Sequence, residues 1–323
     1  MAPYSLERSR DTVFVFEKEQ IIHNIGGVQI GGNLGEIPTV LAGTIFYSGH
    51  KLVDDAQRGT FDKKAAEGLV NLQDEVSSAT GNACMVQVVG ESAQAMARYI
   101  EFIAEITDAP LIIDSTSADV RVSGLKFAEE IGILDRVVYN SLNVSAMPDE
   151  LQALEELQHE AAIILAFNPQ DPSIAGKRSV LEEGALNLDE GLLSLGQRLG
   201  ITKPLIDTAT TAMGAGAGSS VAFTFVSKTE YGLPTGSGIH NAPSSWPWLN
   251  ELRKTNKDAF KACDYGSNLT IQMLGADFVL YGPIKNANTV FPLVAMTDVF
   301  IAEHANLEFG VEFSDSHPIK KLL

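Results

Sequence analysis

The sequence predicts an α/β protein, a (β/α)8 TIM barrel preceded by an N-terminal β-hairpin, on three observations. Apolar runs without polar alternation recur at 110–114, 137–140, 161–168, 204–207 and 277–281, as in parallel strands covered on both faces. Each run follows a stretch with helical periodicity, the alternation that builds a parallel sheet from βαβ units. Several runs end in an acid or an amide: Asp114, Asn140, Asn168 and Asp207. In a closed barrel the carboxyl ends of the strands build the active site, so these polar ends converge on one mouth.

Taken in order, residues 1–11 read as a loose leader and residues 12–323 as one domain, with no Pro/Ser/Gly linker to divide it. Residues 13–16, 21–25 and 28–30 are β-like, and Gly26-Gly27 supplies a tight hairpin turn between the last two. Because they precede the first barrel strand, 39–46, they are expected to plug its amino-terminal end. The loop 47–60 follows that strand and is a candidate lid, or simply a solvated connection. A helix over 62–80 carries Ala65, Leu69, Leu72, Val76 and Ala79 on one face and stops at Gly81. Strand 85–89 and a helix over 91–106 with Met96, Tyr99, Ile103 and Ile106 in a stripe come next. The third helix ends at Gly132, and Pro148 opens a fourth whose Leu151, Leu154 and Leu157 face inward. Residues 169–184 read as a long loop, 188–199 as a helix closed by Gly200, and 221–231 as a helix. A seventh, glycine-interrupted strand is expected to end at Asn241, with Trp246 and Trp248 just beyond. The unit 277–281 plus a helix over 288–304 completes eight strands.

Bulk composition narrows the function. Hydrophobic content of 45% with 20% charged residues fits an ordered enzyme. The balance of 23 basic against 41 acidic residues, −18 net, repels phosphate backbones and argues against nucleic acid as a partner. Cys84 and Cys263 lack metal-like spacing, which points to a reducing compartment. The start lacks the layout of a signal peptide, and no apolar run approaches the ~20 residues needed to cross a bilayer. A cytoplasmic protein, able to dock on a membrane complex, is expected.

The chemistry-bearing residues are few. Glycines 214, 216 and 218 follow a late strand, whereas a dinucleotide fingerprint needs its glycines in the first βα turn. Close packing of backbone or of a flat ligand suits them better. The histidines are scattered without zinc spacing, although His50 and His240 fall on the mouth side. No Gly-x-Ser-x-Gly elbow is present. What remains is the ring of Asp114, Asn140, Asp207 and Asn241. A carboxylate accepts two parallel hydrogen bonds from an N–H/NH2 edge, and an amide both donates and accepts without titrating. Each alone reads as a helix cap; together they suit the edge of a flat heterocycle such as a pterin.

Several segments carry a family resemblance: Val28-Gln-Ile-Gly-Gly-Asn-Leu-Gly-Glu-Ile-Pro-Thr-Val-Leu41, Tyr139-Asn-Ser-Leu-Asn143, Ala162-Ile-Ile-Leu-Ala-Phe-Asn168, Gly232-Leu-Pro-Thr-Gly236 with His240-Asn241, and Leu280-Tyr-Gly-Pro-Ile284. Over residues 13–318 the chain resembles the MtrH family of tetrahydromethanopterin S-methyltransferase subunits, which includes bacterial methyltetrahydrofolate:corrinoid-protein methyltransferases. The resemblance implies a pterin-binding barrel that moves a methyl group between N5 of a tetrahydropterin and the cobalt of a corrinoid on a partner protein. It implies that Asp114, Asn140 and Asp207 hold the pterin and that Asn241, the catalytic candidate, hydrogen-bonds near N5. A homodimer is also implied, as is the absence of any metal on the chain itself. The segment Tyr47-Ser-Gly-His-Lys51 is nearer the bacterial branch, whereas Gly214-Ala-Gly-Ala-Gly218 and Trp246-Pro-Trp248 are nearer the methanogen branch. Either tetrahydromethanopterin or tetrahydrofolate therefore fits as the donor, and Pro247 stands where the methanogen branch leads one to expect an acid.

On this reading His50, Gly216 and Trp246 form a rim facing the corrinoid, from position alone. Two other readings compete. A dihydropteroate-synthase-like transferase needs basic residues near the last strands to hold a diphosphate, and the sequence shows Lys285 without a Lys-rich anion site. The other reading is a non-catalytic pterin-binding subunit of a larger complex. Aldolase chemistry needs a lysine in a strand core, and none of the predicted strands carries one.

Overall fold

The computed structural model describes residues 15–323 apart from positions 158 and 187, so the expected leader and residues 13–14 of the first β-like run lie outside the described residues. An antiparallel hairpin, β1 (Ile22–Ile25) and β2 (Val28–Gly31), turns on Gly26 and Gly27. Both have positive φ, a conformation that a residue without Cβ adopts freely. Then follow β3 (Val40–Ile45), the short strands β4 (Val53–Asp55) and β5 (Thr60–Phe61), α1 (Lys63–Thr80), β6 (Cys84–Val89), α2 (Ala93–Ile106), β7 (Leu111–Asp114), α3 (Ala118–Glu130) and β8 (Val137–Leu142). The second half runs α4 (Pro148–Leu157), β9 (Ala161–Leu165), α5 (Ile174–Glu182), α6 (Leu192–Arg198), β10 (Lys203–Asp207), α7 (Ala217–Tyr231), β11 (Thr235–Ser237), α8 (Asn241–Ser244), α9 (Pro247–Leu252), α10 (Lys257–Gln272), β12 (Phe278–Pro283), α11 (Ala287–Phe309) and α12 (Pro318–Leu322).

Strand β3 and strands β6 to β12 close into one eight-stranded barrel in sequential order, with β12 pairing β3 and every barrel pair parallel. Val40, Ala42, Met85, Ile112, Val138, Ile163, Leu205 and Leu280 fill the interior, and Ile25 and Ile30 of the hairpin pack into the same cluster. The hairpin therefore plugs the barrel, and each of these two isoleucines, fully buried, contributes roughly 1.5–3 kcal/mol. A larger apolar layer lies between strands and helices, where the α2 stripe of Met96, Tyr99 and Ile103 is buried. Side-chain caps open the helices: Asp62 Oδ1 accepts from Ala65 N at 3.0 Å and Ser92 Oγ from Ala95 N at 3.0 Å.

Several expected boundaries shift, each for a local reason. The inward face of α1 is Ala66, Val70, Gln73 and Thr80, not the stripe containing Ala65 and Ala79, which are exposed. Gln73 is polar, so a count of apolar residues slides the stripe by one; its amide is satisfied by Met85 O at 3.1 Å and the Tyr281 hydroxyl at 2.6 Å. The loop 47–60 contains β4, and β5 follows at its end. The loop 169–184 contains α5. Strand β9 stops at Leu165 because Asn168 turns the chain, accepting from Gln170 N at 2.9 Å and Asp171 N at 3.2 Å. Strand β11 is only Thr235–Ser237. Helix α10, sixteen residues long, has no counterpart in the sequence expectation.

One helical stretch, Ile284–Phe309, is by length and composition apolar enough to cross a membrane, contrary to the sequence expectation. Its apolarity has a packing explanation: Val290, Phe291, Val294 and Ile301 are among its buried residues, and half of its apolar window is inside the fold.

Candidate functional site

A cavity of about 310 Å³ opens at the carboxyl ends of the strands, lined by Thr44, Tyr47, Gln87, Asp114, Asn241 and Leu280 among others. Its acid sits at the last position of β7, directly beside Asn140 in the β7–β8 register. The Thr44 hydroxyl donates to Gln87 Oε1 at 2.7 Å, which turns Gln87 Nε2 toward Asp114 Oδ2 at 2.6 Å. The fixed amide thus holds one carboxylate oxygen, the Ser115 backbone N–H also bonds the group, and the residue lines the cavity. Burial raises the Asp114 pKa, opposed by the Gln87 bond and the Arg121 charge. Arg121 is itself buried behind the site: it donates to Ser115 O at 2.7 Å, to Glu150 Oε1 at 2.7 Å and to the Tyr139 hydroxyl at 3.0 Å, and that hydroxyl donates to the same Glu150 oxygen. This network anchors the chain just after Asp114.

Asp207 ends β10 and is buried, outside the lining of that cavity. Its Oδ1 accepts from Ala209 N at 2.7 Å, and the Ser237 hydroxyl also bonds it. Desolvation nevertheless pushes its pKa up to about 6, with the Asp114 charge adding to the rise and the Lys177 charge opposing it. Lys177, on α5, is buried and donates to Thr208 O at 2.7 Å, Ala209 O at 3.3 Å and Ala166 O at 3.4 Å. It ties the end of β10 to the end of β9, and burial lowers its pKa to about 8. Sequence reasoning misses Lys177 because its segment reads as a loop. The signal is the helical spacing of Ile174, Lys177 and Leu181. Gln87 is legible as the one polar residue inside the apolar run of β6.

Asn241 does not end a strand. It is the first residue of α8, reached by a turn in which its N–H donates to Gly238 O at 3.0 Å, and its side chain lines the cavity with Asp114. Pro234, without an N–H, and Gly236 and Gly238 keep the segment from extending into a longer strand. His240 faces Gly282 so closely that a Cβ there would come within 2.7 Å of the ring, and burial lowers the His240 pKa to about 4, leaving a neutral imidazole beside the cavity. Of the three rim positions, His50 is buried, with Nδ1 accepting from Phe46 N at 3.1 Å and its ring stacked on Tyr47; the ring facing the cavity there is Tyr47. Trp246 is half-buried against the exposed Trp248, ring centres 4.7 Å apart. Gly216 is the N-cap residue just before α7 and lies against Pro172, where a Cβ would meet the proline at 2.8 Å.

The tertiary structure also corrects the reading of Lys285 as an isolated base. A second cavity, about 690 Å³, gathers Lys285 with Arg253, Lys257 and Lys261. Arg253 stands just before α10, two of the lysines lie on α10, the helix absent from the sequence expectation, and Lys285 follows β12.

Comparison with known proteins fits this architecture. A dihydropteroate synthase of Yersinia pestis in a sulfonamide complex superposes with a TM-score of 0.58 at 14% identity, covering 86% of this chain and 98% of that one, a likeness of fold. The H subunit of tetrahydromethanopterin S-methyltransferase from Methanothermobacter thermautotrophicus is 50% identical over 311 residues, 96% of this chain and all of its own length. The H subunit of the putative methyltransferase mtx from Methanosarcina mazei is 49% identical over 311 residues, again 96% of this chain and all of its own. The family model described as the tetrahydromethanopterin S-methyltransferase MtrH subunit matches residues 18–314, and with these identities the chain belongs to that family.

Proposed function

We propose that this chain transfers a methyl group between N5 of tetrahydromethanopterin and the cobalt of a corrinoid carried on a partner protein. The observation that carries the reading is the mouth, where Asp114 and Asn241 line one cavity in a chain half identical to a tetrahydromethanopterin S-methyltransferase subunit. Asp114, oriented by Gln87, offers an acceptor to the N–H edge of the ring; Asn140 lies beside it, and Asp207 supplies a second acceptor across the barrel end.

A tertiary amine leaves poorly, so as the C–N bond breaks N5 keeps its electron pair, is hydrogen-bonded, and takes up a proton from solvent. Asn241, on the wall of the same cavity, steadies the charge at N5 without titrating, and the rigid strand ends bring the reacting atoms into line. The corrinoid supplies the nucleophile, whose electron pair forms the new bond to the methyl carbon. Its approach is over the rim of Tyr47, Trp246 and the loop containing Gly216. Assembly into a larger methyltransferase complex, peripheral to a membrane on the cytoplasmic side, and a homodimer through outer helices such as α11, where Met296 and Phe300 are exposed, extend the same reading.

The test mixes the protein with cob(I)alamin and either methyl-tetrahydromethanopterin or methyl-tetrahydrofolate, following loss of the Co(I) band. Methylation from the methanopterin is expected. Pterin binding with no methylation of free or protein-held corrinoid would reject the catalytic role and leave a pterin-binding subunit.

A further inference from the structure

The larger cavity stands beside the mouth and shares His240 and Pro283 with it as a common wall. Its cations converge from three places: Arg253 just after α9, Lys257 and Lys261 one turn apart on α10, and Lys285 just after β12. Residues four apart on a helix share a face, so both lysines of α10 address the same space. None of the four makes a salt bridge among the described residues, whereas the adjacent Lys254 is paired with Glu251 at 2.6 Å. Arg253 lies over the Phe260 ring, 4.6 Å from its centre. In a chain of 41 acids and 23 bases, four cations around one cavity with a single carboxylate, Asp264, reverse the local sign. Their mutual repulsion is relieved by an anion.

Asp264 also lines the cleft, and a carboxylate there can accept from a hydroxyl on the bound molecule. The Phe260 and Tyr265 rings form the apolar part of the wall.

We infer that this cleft binds the acidic, hydroxylated side chain of the tetrahydropterin whose ring occupies the mouth, an extension bearing phosphate or carboxylate. The assignment rests on the pterin reading of the mouth and goes beyond it. The ring edge is common to all pterins, so the cleft is where one pterin is distinguished from another.

The experiment titrates the full chain and a Lys257→Glu/Lys261→Glu variant with tetrahydromethanopterin and with 6-methyltetrahydropterin, which lacks an acidic side chain. Both lysines are exposed, so the fold should persist, and circular dichroism checks it. The variant should bind tetrahydromethanopterin about tenfold or more weakly, since each surface charge contact is modest but both are reversed. Its affinity for 6-methyltetrahydropterin should be unchanged, and added salt should erode only the wild-type preference for the acidic ligand. Equal binding of tetrahydromethanopterin by variant and wild type overturns the inference while leaving the mouth reading intact. Failure of wild type to bind either compound overturns both. Inorganic phosphate competing against tetrahydromethanopterin alone identifies a phosphate site, glutarate competing identifies a carboxylate site, and competition by neither rejects the cleft as an anion site.

Discussion

Replacing Asp207 by Asn should make the free protein more stable and the pterin complex weaker. The carboxyl is buried at the end of β10, and desolvation, with a smaller push from Asp114, carries its pKa from 3.8 to about 6. A raised acid pKa means the folded state holds the proton more tightly than the unfolded chain. Between the two values, stability therefore falls as pH rises. About two units at ~1.36 kcal/mol each gives roughly 3 kcal/mol of cost, complete above about pH 7 and reduced to about 1 kcal/mol at pH 4.5. The Asn amide keeps the acceptor for Ala209 N but removes the charge opposite Lys177, so about 1–3 kcal/mol of stabilisation should survive at pH 8. For 323 residues, at ~2.1 cal/mol/K each, 2 kcal/mol corresponds to about 3 °C in Tm. Scanning calorimetry at pH 8 and at pH 4.5 measures the gain, and titration calorimetry measures pterin affinity. Affinity should fall by roughly 10–100-fold, since a ring N–H loses its charged acceptor. An equal gain in Tm at both pH values, or none at pH 8, would refute the electrostatic account; undiminished affinity would remove Asp207 from the site.

Asn241→Ala should lower the rate of methyl transfer far more than pterin affinity, and a similar loss in both, read from single-turnover rates beside binding titrations, would make it a binding residue only. Gln87→Leu removes the donor that steadies the Asp114 carboxylate, so the Asp114 pKa should rise further and the acid limb of pterin affinity should move to higher pH; a pH–affinity profile coincident with wild type would contradict this. Glu150→Ala leaves Arg121 buried without its carboxylate and should cost about 3–5 kcal/mol in denaturant unfolding, whereas a loss under 1 kcal/mol would mean Arg121 escapes to solvent.

The barrel is legible because most of its strands are buried on both faces and so are written as largely apolar runs; the exception is β11, Thr-Gly-Ser, which only its glycine-rich setting marks. The hairpin plug is legible from Gly26-Gly27 and two short β-like runs in front of the first strand. Where the pattern contains a satisfied polar residue it misleads: Gln73 is buried, and counting only apolar residues rotates α1. Helix α10 escapes the pattern for a related reason, since its buried face includes Asn268 and Gln272 beside Ile271.

By itself the sequence determined the closed α/β architecture and the strand ends that carry Asp114 and Asp207, whereas β8 runs two residues past Asn140 to Leu142; period and turn chemistry are local properties of the chain. Only the tertiary structure decided that Gln87 orients Asp114, that Lys177 ties β9 to β10, that Asn241 opens a helix instead of ending a strand, and that four cations from three segments face one cleft. The Gln87 and Lys177 contacts join residues 27 and 31 apart along the chain, and the cleft sets α10 against the segment after β12; the closing of the barrel brings these groups within hydrogen-bonding or electrostatic reach.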